Sequence, residues 1–70
     1  MSNRIIKRQQ LGRQIAELRE QAEMSRYDLA NKVGLKETHI KRIENGAYSA
    51  TFDTLQEIAE ALGGNLVIIV

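Results

Sequence analysis

Seventy residues leave room for one small domain, and a chain of this size hides only ~60% of the surface it exposes when unfolded. With no cysteine and a single histidine, neither a disulfide nor a protein-built metal site is expected, which leaves helix packing and oligomerisation as reinforcement. Residues 1–46 carry ten positive and six negative charges (+4), whereas residues 47–70 carry three negative and none positive (−3). The asymmetry fits a polyanionic partner; an unevenly charged solvated surface is the plainer alternative.

No apolar run approaches the ~20 residues of a membrane helix, and the N-terminus lacks a signal-peptide apolar core, so no membrane partner and a cytoplasmic location are expected. Residues 1–10, MSNRIIKRQQ, set Arg4, Lys7 and Arg8 around Ile5 and Ile6 and read as a basic arm or a solvated helical extension. Leu11, Ile15, Leu18 and Ala22 then recur at helical spacing and predict a first helix over roughly residues 9–22. Ser25 opens a second helix as N-cap, with Asp28 three residues later in a variant capping box. Leu29, Ala30 and Val33 face inward, and Gly34 ends the helix where a left-handed backbone is needed. A third helix spans about Lys36 to Asn45 and stops at Gly46. After the loop AYSA, Thr51 caps a fourth helix whose apolar stripe is Phe52, Leu55, Ile58, Ala59 and Leu62. Gly63 and Gly64 break it, and the chain closes on Leu66-Val67-Ile68-Ile69-Val70, an apolar and mostly β-branched run of strand composition.

The second and third helices meet the demands of a tight helix-turn-helix. Ala30 is small where the backbones cross, Gly34 follows four residues later at the turn, and Ile40 and Ile43 lean the third helix back on the second. Leu29, Val33 and Leu35 fill the remaining inward positions. Across the third helix, Thr38, Lys41, Arg42 and Asn45 form one outward stripe at i, i+3, i+4, i+7. Such a mixture of hydrogen-bonding and cationic groups suits a helix in the major groove, where Arg42 can pair bidentately with guanine and Glu37 can accept from a cytosine amino group. Lys36, Thr38 and Lys41 would divide between bases and phosphates. An ordinary solvated helix face is the alternative. Glu44 lies four residues after Ile40 and points inward, where a carboxylate requires a donor; Arg19, flanking the first helix's stripe, is the candidate.

On these residues Ser25 to Gly46, including its ending Ile43-Glu44-Asn45-Gly46, resembles the helix-turn-helix of the Cro and repressor (XRE-like) class of bacterial and phage regulators. Leu11-Gly12 and Leu18-Arg19 match that class's first helix. Thr54-Leu55 and Ile58 to Gly63 match the helix after the motif, so the likeness covers about residues 11–63. Two positions depart from it: Lys36 replaces the usual Ser or Thr cap of the third helix, and Ala50 stands where a Pro often precedes the fourth. The resemblance implies an all-α, four-helix lambda-repressor-like domain binding double-stranded DNA. It implies the Arg19–Glu44 ion pair and a phosphate contact for Arg26; Asn45, Tyr48 and Ser49 are further phosphate candidates, with packing over the loop as the alternative for Tyr48. It also implies that Leu66–Val70 can pair as a strand with its twin across a two-fold axis, the alternative being a strand folded back on its own helices.

The expected organisation is therefore a basic arm or helix extension over residues 1–10, a DNA-binding domain over 11–63 with the helix-turn-helix at 26–45, and a dimerisation strand at 64–70. No nucleophile motif, phosphate-cradling glycine loop or metal-ligand spacing accompanies His39, so neither an enzyme nor a cofactor is expected. The leading functional expectation is a homodimeric transcriptional regulator, usually a repressor. Its alternative is an antitoxin that binds a toxin protein and also represses its own operon.

Overall fold

The computed structural model describes residues 3–47 and 50–66, with side chains from residue 8 onward. Four helices follow one another: α1 (Asn3–Gln21), α2 (Arg26–Val33), α3 (Glu37–Glu44) and α4 (Phe52–Ala61). Helix α1 starts six residues before the spacing predicts. No glycine or proline interrupts residues 3–11, and Arg, Lys and Gln are good helix formers, so the helix runs back beyond its buried stripe. Residues 3–10 are thus helical and continuous with the rest of α1.

The stripe of α1 is shorter than its spacing implies. Ile15 is fully buried and Leu11 and Leu18 half-buried, but Ala22 is exposed in the turn that follows. Helix α2 begins with the expected box: the Asp28 backbone N–H donates to Ser25 Oγ at 3.0 Å, and the Ser25 N–H donates to Asp28 Oδ2 at 3.4 Å. Helix α3 starts differently. Lys36 holds the extended N-cap backbone, φ −84° and ψ 149°, but supplies no side-chain acceptor. Thr51 caps α4 through its Oγ1, which accepts from the Thr54 N–H at 3.2 Å.

Each of the four helices is followed by one residue in the left-handed region, Glu23 (φ 56°), Gly34 (74°), Gly46 (74°) and Gly63 (80°); α1, α3 and α4 end in the same doubly bonded turn, whereas after α2 the Gly34 and Leu35 N–H groups both donate to the Ala30 carbonyl. After α3, for example, the Ala47 N–H donates to the Arg42 carbonyl at 2.9 Å and the Gly46 N–H to the Ile43 carbonyl at 3.1 Å. Only Glu23 takes this conformation with a side chain, at a cost of about 1 kcal/mol.

Helices α1 and α2 both pack on α3 and α4. The core consists of Ile15, Leu29, Ala30, Ile40, Ile43, Leu55, Ile58, Ala59 and Leu66. Full burial of Ile15, Leu29, Ile40 or Ile58 stabilises the fold by roughly 1.5–3 kcal/mol each. Phe52 does not join them. It is the first residue of α4 and overhangs the core by a turn, so 41% of it is exposed and the buried stripe begins at Leu55.

The segment after α4 is seated by one side chain. Gln56 Oε1 accepts from the Leu66 N–H at 3.1 Å, and Gln56 Nε2 donates to Asn65 Oδ1 at 2.9 Å. Leu66 is thereby inserted in the core of the domain and is not in a strand. The rest of the expected strand, Val67, Ile68, Ile69 and Val70, lies outside the described residues, and the described residues contain no strand.

Candidate nucleic-acid interface

Helix α3 divides into two faces. Ile40, Ile43 and Glu44 are buried, and His39 is half-buried beside them. Glu37, Thr38, Lys41, Arg42 and the C-capping Asn45 are exposed, as is Lys36 immediately before the helix. The stripe expected to read DNA therefore stands clear of the core along the whole of α3. Lys36, Lys41 and Arg42 make no ion pair among the described residues, so three cations stand open to an anionic partner, with Glu37 the one exposed carboxylate on the same helix. Tyr48 and Ser49 lie outside the described residues.

What fixes this helix is a close approach and a charge cluster. The close approach is at Gly12. A Cβ there would collide with the Ile43 carbonyl oxygen and lie 2.8 Å from that of Glu44, so α1 rests on the last turn of α3 backbone to backbone. The charge cluster lies beside it. Arg19 grips Glu44 with two donors, Nε to Oε2 at 2.7 Å and Nη2 to Oε1 at 3.2 Å. Arg19 Nη1 donates in addition to the Met24 carbonyl at 2.9 Å, which ties the end of α1 to the same group. The hydrogen bond to Glu44 raises the Arg19 pKa above the usual arginine value, and partial burial works against it.

Arg26, expected as a phosphate contact, joins this cluster. Its Nε donates to Glu44 Oε1 at 2.9 Å, so one carboxylate holds two guanidiniums. The Glu44 side chain is 2% exposed and that of Arg19 13%, whereas that of Arg26 is 38% exposed. The second partner was discoverable in principle: an ionised carboxylate has about four acceptor positions, more than one arginine fills. Spacing along the chain did not reveal that the first residue of α2 reaches the last residue of α3.

The Helix-turn-helix (HTH_3) family model matches residues 15–69, well over half of the chain. The chain belongs to this family. Among solved structures, an HTH_3 family transcriptional regulator from Vibrio cholerae superposes with a TM-score of 0.80 at 27% identity. The likeness covers 90% of this chain and 35% of that protein, so the chain spans about a third of its length. No curated protein shows significant similarity to the chain. The match brings this HTH_3 chain's four-helix order and capped α2–turn–α3 unit together with the Cro and repressor likeness of its sequence. No helix is long and apolar enough to cross a membrane, and no group of three His, Cys, Asp or Glu could hold a metal ion, in each case among the described residues.

Proposed function

We propose that this HTH_3 protein is a sequence-specific DNA-binding transcriptional regulator that lays α3 in the major groove. The observation that carries the reading is the two-faced α3: Ile40, Ile43 and Glu44 lock one side into the domain, while Thr38, Lys41, Arg42 and Asn45 project from the other, with no competing ion pair on the cations among the described residues. Glu37, Thr38, Lys41 and Arg42 are assigned to base edges. Arg26, Lys36, Asn45 and Tyr48 are assigned to phosphates, which position the helix without reading sequence.

The protein acts as a homodimer, each subunit reading one half-site, with centres about one helical turn (~34 Å) apart. Repression by occlusion of a promoter is the outcome assigned to it. The apolar run Val67–Val70 supplies the subunit contact, because an exposed β-branched run of that kind is otherwise a site of edge-to-edge aggregation. Electrophoretic shift of the protein's own upstream region tests the reading. The double variant Lys41→Glu/Arg42→Glu should abolish the shift while melting like the parent, since both side chains are exposed. An unchanged shift removes α3 as the reader. A protein that co-purifies stoichiometrically would favour the antitoxin reading instead.

A further inference from the structure

We propose that Glu44 is a positioning residue for DNA binding, holding Arg26 by Nε so that its terminal N–H groups meet a backbone phosphate. The inference deepens the DNA-binding reading above and rests on it. The geometry separates two uses of one carboxylate. Arg19 takes both oxygens and ties α1 to α3 in a nearly buried contact, which accounts for the fold. Both oxygens of Glu44 already receive a donor from Arg19, so Arg26 is a third donor and not the one that ties the helices together. What Arg26 adds is charge. Two guanidiniums against one carboxylate leave the cluster with an excess of +1, and the exposed member carries that excess.

A guanidinium held at Nε is oriented, because its five donors lie in one rigid plane. With Nε on Glu44 Oε1, the terminal nitrogens of Arg26 make no hydrogen bond or ion pair among the described residues, and the side chain is 38% exposed. Arg26 opens α2, the helix that supports α3, on the same side of the domain as Glu44 at the end of α3. A phosphate there completes an alternating chain of Arg19, Glu44, Arg26 and anion. Binding then couples to the internal pair: the residue that fastens α3 to the domain also aims the cation beside it.

The test compares salt-dependent DNA affinity and thermal melting for Arg26→Ala, Arg26→Lys and wild type. Neither variant touches the Arg19–Glu44 contact, so both are expected to melt within a few degrees of wild type. Loss of one phosphate contact per subunit should lower the slope of log affinity against log salt by ~0.9 per subunit in Arg26→Ala. Arg26→Lys should show the same fall, because a single ammonium taken by Glu44 has no outer fork left for the phosphate. If Arg26→Lys keeps the full wild-type slope, charge alone suffices and the positioning role of Glu44 is overturned. If Arg26→Ala also keeps it, Arg26 contacts no phosphate and the inference falls with the DNA-binding reading intact. Wild-type protein that binds no DNA at any salt overturns both.

Discussion

Replacing Gly12 by alanine sets two effects of opposite sign against each other. Gly12 lies in the middle of a 19-residue helix, where alanine is favoured by about 1 kcal/mol on helix propensity alone. A sequence-only argument therefore predicts stabilisation. In the folded domain the new methyl group runs into the backbone of α3, colliding with the Ile43 carbonyl oxygen and lying 2.8 Å and 3.0 Å from the Glu44 carbonyl oxygen and carbon. Backbone cannot rotate aside as a side chain can. To restore ordinary contact α1 and α3 must part by roughly 1 Å, across the layer that contains Ile15, Ile40 and Ile43. Overpacking of this kind costs about 1–3 kcal/mol and sometimes more, and the same movement stretches the 2.7 Å bond from Arg19 to Glu44. Because the methyl group meets backbone atoms of both Ile43 and Glu44, the cost falls in the upper part of that range, about 2–3 kcal/mol, and the net after the propensity gain is destabilisation by roughly 1–2 kcal/mol, or about 4–16 °C in melting temperature for a domain of this size. Far-UV circular dichroism melts of Gly12→Ala, with exposed Arg13→Ala as control, decide the sign. A Gly12→Ala protein that melts at or above wild type would refute the close approach between α1 and α3.

Glu23→Gly should stabilise the domain by about 0.5–1 kcal/mol in urea melts, because glycine takes the left-handed conformation at the end of α1 without the penalty a side chain incurs. Glu44→Ala should cost about 3–5 kcal/mol, since it leaves the nearly buried Arg19 unpaired; replacing Arg19 and Glu44 together by apolar residues of similar volume should recover much of that loss in the same denaturation assay. The Arg19 pKa is raised by its bond to Glu44, so its contribution is complete below the unfolded arginine pKa and is lost only as pH climbs through the higher folded value. The difference in melting temperature between wild type and Arg19→Met should accordingly stay flat between about pH 7 and about pH 10.

The helix pair at the centre of the chain was legible because its signals are local. Ser25 with Asp28, the turn at Gly34 and the periodic Leu29, Ala30, Ile40 and Ile43 each act within a few residues, and each sits where the spacing predicts. Features made between distant segments were not legible. Nothing near Gly12 in the chain signals that another helix's backbone lies against it. Periodicity assigned Phe52 and Ala22 to buried stripes but cannot say where the neighbouring helices stop covering a stripe, and both lie beyond that edge. Leu66 shares the composition of the four residues after it, yet the Gln56 amide, ten residues back, draws it into the core. For Arg26 the resemblance implied a phosphate contact, and the bond to Glu44 adds a tertiary constraint that spacing does not encode. Lys36 departs from the expected cap in chemistry alone: its backbone takes the N-cap conformation without a side-chain bond, so α3 begins where a capped helix would.

The most direct test of the central claim is selection of DNA from a random double-stranded pool by the purified protein, followed by sequencing. The account predicts an enriched site of two inverted half-sites centred about one helical turn (~34 Å) apart, and loss of preference at one base position per half-site when Arg42→Ala is used for the selection. A wild-type pool without any enriched sequence, or an Arg42→Ala pool identical to the wild-type one, would contradict the assignment of α3 as the reading helix.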